Sequence, residues 1–182
     1  GYAFRNEIAT IMGIEDCFLV RVGDATLPKN QLQIAYAHKT EDTTLRGHVS
    51  NSSMMLQPNQ WYHIAVTFDN GLIKVYINGR EKGSGDAQKE IPGFTSVNFK
   101  VKHSEEDDGK PRCFWIGYSY DSKRFLNGMI GEARVWNRAL TAEEIASENH
   151  FYKVDPASEG LVAYWKFDDG KGTSVKDHSA YG

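Results

Sequence analysis

Carboxylates are the first side chains to test for chemistry. Splitting a glycosidic bond takes two of them, an acid and a base or nucleophile, facing each other across a cleft. Glu15 and Asp16 are adjacent, so on an extended chain they point to opposite sides. Glu105 to Asp108 sit in the polar run "KHSEEDDGKPR", and Glu132 lies in an apolar stretch with no acid two residues away. The histidines at 38, 48, 63, 103, 150 and 178 show no H-x-H or H-E-x-x-H spacing. No G-x-S-x-G is present either. A catalytic centre is therefore not expected. Calcium asks for less, a few hard oxygens on a loop, and "SEEDDG" and "FDDGKGTSVKD" both set carboxylates beside glycine without matching an EF-hand.

Aromatic side chains carry more information. Apolar residues alternate at Tyr62, Ile64, Val66 and Phe68, and again at Ile73, Val75 and Ile77. If Ile64, Val66, Ile73, Val75, Phe114 and Ile116 face a core, alternation turns Trp61, His63, Tyr76 and Trp115 to the opposite face. Flat aromatic faces suit the C–H faces of sugar rings, while nearby polar groups fix hydroxyls. The stretch "YSYDSKRF" follows Trp115 and adds Tyr118, Tyr120, Asp121 and Arg124 as rim candidates. The competing account is structural: Trp61 packed beneath a helix or loop, and His63 a half-buried packing residue.

These side chains must be held by β-structure. "WYHIAVTFDNGLIKVYINGREKGSG" carries Asn-Gly at 70–71 and at 78–79 between alternating apolar runs. Asn-Gly tolerates the positive φ angles of a type I′ turn, so this segment is predicted to be a three-stranded antiparallel meander. Further strands are predicted at 8–12, 18–22, 32–37, 45–49, 97–101, 114–118, 129–136 and 161–167. One helix is expected in "LTAEEIASENH", where Thr141 and Glu144 form a capping box.

At 182 residues the chain is the size of one domain. Its 21 basic and 24 acidic residues, net −3, give no electrostatic footprint for nucleic acid, and no apolar run approaches a membrane span. Cys17 and Cys113 each open a similar apolar stretch, "CFLVRVG" and "CFWIGY". They are expected either as two buried thiols or, if their strands are neighbours, as a disulfide.

Three segments, "QWYHIAVTFDNGLIKVYINGR", "LNGMIGEARVWNRALTAEEI" and "GLVAYWKFDDGKGTSVKDHS", resemble in order and spacing the LamG-like jelly-roll domains of the concanavalin A-like lectin/glucanase superfamily. Similar domains occur in extracellular and cell-surface proteins of gut Bacteroidetes, often in multidomain lipoproteins near glycan-utilisation genes. The resemblance implies an all-β jelly-roll sandwich of two antiparallel sheets, one concave, with a short helix near the C-terminus. Members usually have another strand before the point where this chain begins, and they run on past "KDHSAYG", so residues 1–182 are expected to be one domain of a longer protein. Glucanases of the superfamily carry E-x-D-x-E style acids on one strand, which this chain lacks. The implied function is a non-catalytic, extracellular carbohydrate-binding module that meets a glycan on its concave sheet. A protein–protein adhesion or architectural domain is the alternative, and a glycoside hydrolase is third. Asp168 and Asp177 lie where the family commonly has acidic residues, as calcium ligands or as turn caps.

Overall fold

The computed structural model describes residues 8–39, 43–97, 113–119 and 124–182. Residues 98–101 of one expected strand, the polar run 102–112, Tyr120 and Asp121 lie outside the described residues. The described residues form three antiparallel sheets. The largest has the order β4-β3-β2-β1-β8, from β1 (Ala9–Ile14), β2 (Phe18–Val22), β3 (Leu32–Lys39), β4 (Thr44–Val49) and β8 (Trp115–Ile116). The meander is β5 (Ile64–Asp69), β6 (Leu72–Ile77) and β7 (Arg80–Asp86), and β9 (Ala133–Trp136) pairs with β10 (Leu161–Trp165). This is the all-β sandwich expected from the pattern of short strands.

Alternation decides which face of each sheet is buried. The cross-strand row Val20–Ile34–Val49 points inward from the five-stranded sheet. Ile73, Val75 and Ile77 point inward from the meander, the first two fully buried. Aromatic rings join the layers: Phe18 meets Phe68 edge-on at 5.9 Å, and Phe94 lies 5.6 Å from Phe68 and 5.8 Å from Tyr36. Each such side chain removed from water contributes about 1.5–3 kcal/mol.

The meander's turns form as their sequence requires. Asn70 and Gly71 have φ of 47° and 91°, and Asn78 and Gly79 have 52° and 74°. β1 carries a bulge between Thr10 and Met12. Just beyond it Gly13 has φ of 134°, and a Cβ there would sit 2.3 Å from the Phe18 carbonyl oxygen, so only glycine lets β1 approach β2 this closely.

The expected single helix is two. The capping box is present, with Thr141 Oγ1 accepting from the Glu144 amide at 3.2 Å and Glu144 Oε2 accepting from the Thr141 amide at 2.8 Å. It starts α1 (Ala142–Ala146), which ends at Ser147, whose ψ of 151° is extended. Ser147 then caps α2 (Glu148–Phe151) by accepting from the His150 amide. A serine that prefers capping to helix interior makes the break.

Candidate functional site

The register of the five-stranded sheet assembles one row from five strands: Trp115, Gly13, Leu19, Ala35 and His48 are successive cross-strand partners. Its outer face also carries the pairs Arg21–Gln33 and Ala37–Arg46. On the β2–β4 side of this face, away from Trp115, lies a groove of about 180 Å³. Leu19, Ala35 and Ala37 line it together with Glu15, Arg21, Arg46 and His48. Arg21 is held in place, donating through Nε to Gln33 at 2.7 Å and through Nη2 to Asp24 at 2.5 Å. Arg46 reaches Asp16 at 3.2 Å.

Trp115 begins a series of rings. It lies 4.5 Å from Tyr118, which stacks on Phe125 at 5.7 Å, and Phe125 is 61% exposed. Beneath them is a polar knot. Glu15, only 6% exposed, accepts from Arg124 Nη1 at 2.9 and 3.1 Å and from the Ser119 hydroxyl at 2.5 Å. The Ser119 and Thr10 hydroxyls, both fully buried, are 2.8 Å apart, and the Thr10 amide donates to the Arg124 carbonyl. Both ends of segment 119–124 are thereby tied to the start of the sheet.

Among the described residues expected to share one open aromatic face, the structure brings Trp115 and Tyr118 together, and Arg124 precedes the Phe125 on which Tyr118 stacks. Tyr76 is corrected: it does point away from the inter-sheet core, but it is 2% exposed and offers no ring to a ligand. The reason is tertiary. α1 packs against β7, and Phe151 lies on the β6–β7 turn, so the outer face of the meander is covered at that end. His63 is in the same covered region, 4.8 Å from His150 and 4.3 Å from Phe151. Burial first, then the neighbouring His150 and Arg134, lowers the His63 imidazole to about 4. Trp61 is on neither the groove nor the core; 65% exposed, it touches Gly131 on a different surface. Arg124 is where expected in the chain but is bound to Glu15, whose importance adjacency to Asp16 concealed.

Other expectations resolve similarly. Glu132 is locked: its Oε2 accepts from Arg134 at 2.5 Å and from the Tyr164 hydroxyl at 3.1 Å. Cys17 and Cys113 are not joined by a disulfide; Cys17 is buried, which pushes its thiol up to about 11, but Cys113 is exposed rather than buried. Asp177 Oδ1 accepts from the Tyr164 and Ser179 amides at 3.0 and 2.8 Å. Burial works to raise that carboxyl, but the amides of Ser179 and Tyr164 outweigh it and hold it below its usual range. This is the work of a turn cap. Asp168 is 3.9 Å from His178 Nε2, and among the described residues no three His, Cys, Asp or Glu side chains converge as a metal site. An Asp177→Ala protein should melt lower by the same amount in millimolar calcium and in EDTA; a loss seen only with calcium would make Asp177 a ligand.

The geometry agrees with kinship. A sequence profile of the concanavalin A-like lectin/glucanases superfamily matches residues 11–146. The chain belongs to this superfamily. Among solved structures it is similar to a Bacteroides ovatus protein proposed to bind carbohydrate, with a TM-score of 0.70 and 30% identity over 96% of this chain. The alignment spans 46% of that protein, so this chain corresponds to about half of its length. An S-layer domain-containing protein from Clostridium thermocellum aligns over 76% of this chain and 63% of its own at 20% identity, but its TM-score of 0.29 carries no argument. No curated protein matches the chain. The superfamily's name spans both lectins and glucanases, so membership fixes the fold without choosing between binding and cleavage.

Proposed function

We propose that this protein is a non-catalytic carbohydrate-binding module. It takes a glycan along the outer face of the five-stranded sheet, with Trp115 and Tyr118 as the stacking wall. The observation that carries the reading is the single cross-strand row Trp115, Gly13, Leu19, Ala35 and His48, which sets Trp115 on the same sheet face as the groove lined by Leu19, Ala35 and His48. Kinship with a protein proposed to bind carbohydrate supports it, as do the acids nearest the groove: Glu15 and Asp16 are held by arginines rather than poised as acid and nucleophile. The same kinship supports a place outside the cytoplasm, on or attached to a bacterial surface. Among the described residues no helix is long and apolar enough to cross a membrane.

A glycan array followed by calorimetry tests this directly. Trp115→Ala should weaken binding by about 1–3 kcal/mol, the range of aromatic stacking on planar ring ligands, while stability stays near wild type. A loss of about 3–5 kcal/mol in stability with affinity intact would make Trp115 a packing residue. Incubation with laminarin, xyloglucan, agarose or mixed-linkage glucan should release no reducing ends; turnover that vanishes in Glu132→Gln would establish a hydrolase instead. The rival reading, a protein-adhesion module, draws on exposed Trp61 beside Gly131 and on Met129, 77% exposed. Under that reading Trp61→Ala, not Trp115→Ala, would abolish partner binding.

A further inference from the structure

We propose that the groove selects uncharged glycans and rejects uronic-acid and sulfated ones, by a charge cancellation built into its walls. The inference rests on reading this groove as the sugar site. Among the described residues each arginine at the groove and its margin is matched by a carboxylate: Arg46 with Asp16, Arg21 with Asp24, and Arg124 with Glu15. The three pairs sum to zero.

Such pairs remain useful to a sugar. A guanidinium edge beside a carboxylate presents donors and an acceptor at fixed spacing, and a hydroxyl can use both at once. A neutral pyranose therefore joins the existing hydrogen bonds without breaking an ion pair. A carboxylate or sulfate cannot. To reach Arg46 it must displace Asp16 or lie beside it, and like charges so close repel. Arg21 offers no easier route, because Gln33 and Asp24 already hold its Nε and Nη2. Trp115 and Tyr118 add affinity for the C–H face of a ring, where charge plays no part. His48, which lines the groove, supplies a further polar side chain on the same face.

Asp16 gives a clean way to unbalance the groove. It sits at φ 54°, a left-handed conformation that asparagine also adopts readily, so Asp16→Asn removes the charge and keeps the turn. The purified protein and this variant are screened on one array of neutral, uronate-containing and sulfated glycans, at low and at high salt. Wild type should bind neutral glycans only, with affinity changing less than about twofold with salt, since no counterions are displaced. Asp16→Asn should gain binding to acidic glycans of about tenfold or more, lost at high salt and lost again when Arg46→Gln is added. Wild-type preference for acidic glycans, equal binding of both classes, or no gain in the folded Asp16→Asn variant would overturn the proposal while leaving a sugar site in place. Failure of the wild type to bind any glycan would overturn the sugar-site reading itself.

Discussion

Taking the protein from neutral pH to about pH 4 should lower its unfolding free energy by about 3 kcal/mol, through two histidines that the fold holds neutral. His63 and His150 meet edge to face at 4.8 Å between β5 and α2, with Phe151 and Trp136 beside them. Burial is the main cause of both shifts; Arg134 adds to each and His150 adds to that of His63, while Glu132 opposes the first and Glu144 the second. Both imidazoles are lowered to about 4, against about 6.5 in an unfolded chain. Between those values the unfolded state binds more protons. Stability is therefore full above about pH 6.5 and falls as pH drops through the window toward 4. The figure is below the sum of two full shifts, because His63 is only half-buried and solvent screens its charge.

Carboxylates act in a lower window. Glu144, held at about 2 by Arg138 and the Thr141 amide, contributes stability present above its unfolded value, and that is lost only as pH falls from about 4.5 toward 2. Urea unfolding at several pH values between 7 and about 4.5, above the window of Glu144, isolates the histidines. The double replacement His63→Phe, His150→Phe keeps an edge-to-face aromatic pair and should flatten the curve in that range. A double variant with the wild-type slope would place the titration elsewhere.

How much of this could be read from the chain depends on how local each signal is. The turns at Asn70–Gly71 and Asn78–Gly79 are dictated by two residues each, and the capping box by four, so both were legible. Alternation correctly sent Ile73 and Val75 inward and Tyr76 outward. What it could not say is whether the outward face meets water, because α1 and α2, about 70 residues later, cover it. The groove was hidden for the same reason. Its row exists only because β8 pairs with β1, which brings Trp115 beside Gly13 across about 100 residues of chain. Glu15 looked like one of two adjacent acids of no use, and its partners Ser119 and Arg124 lie 104 and 109 residues away. Ser147 is a local signal too: a serine after a single helical turn is a stop and a new start.

Arg124→Ala should destabilise the protein by about 2–4 kcal/mol while removing no apolar core, because it strands a buried carboxylate. Among the described residues Glu15 keeps the Ser119 hydroxyl alone once the guanidinium is gone, and its side chain is 8% exposed, too little for water to take over. The chain order suggested a different role, a rim arginine that touches sugar, and the two roles separate in a double-mutant cycle. If Arg124 clamps, Glu15→Gln in the Arg124→Ala background removes the stranded charge and recovers much of the lost stability, a coupling of the kind contacting residues show. Glycan affinity should fall in the Arg124→Ala protein, because the carbonyl that receives the Thr10 amide and the ring of Phe125 both lose their anchor. It should recover in part along with stability in the double variant. A sugar-contacting arginine would behave otherwise: affinity would drop and stay lost in both variants, and the melting temperature of Arg124→Ala would barely move.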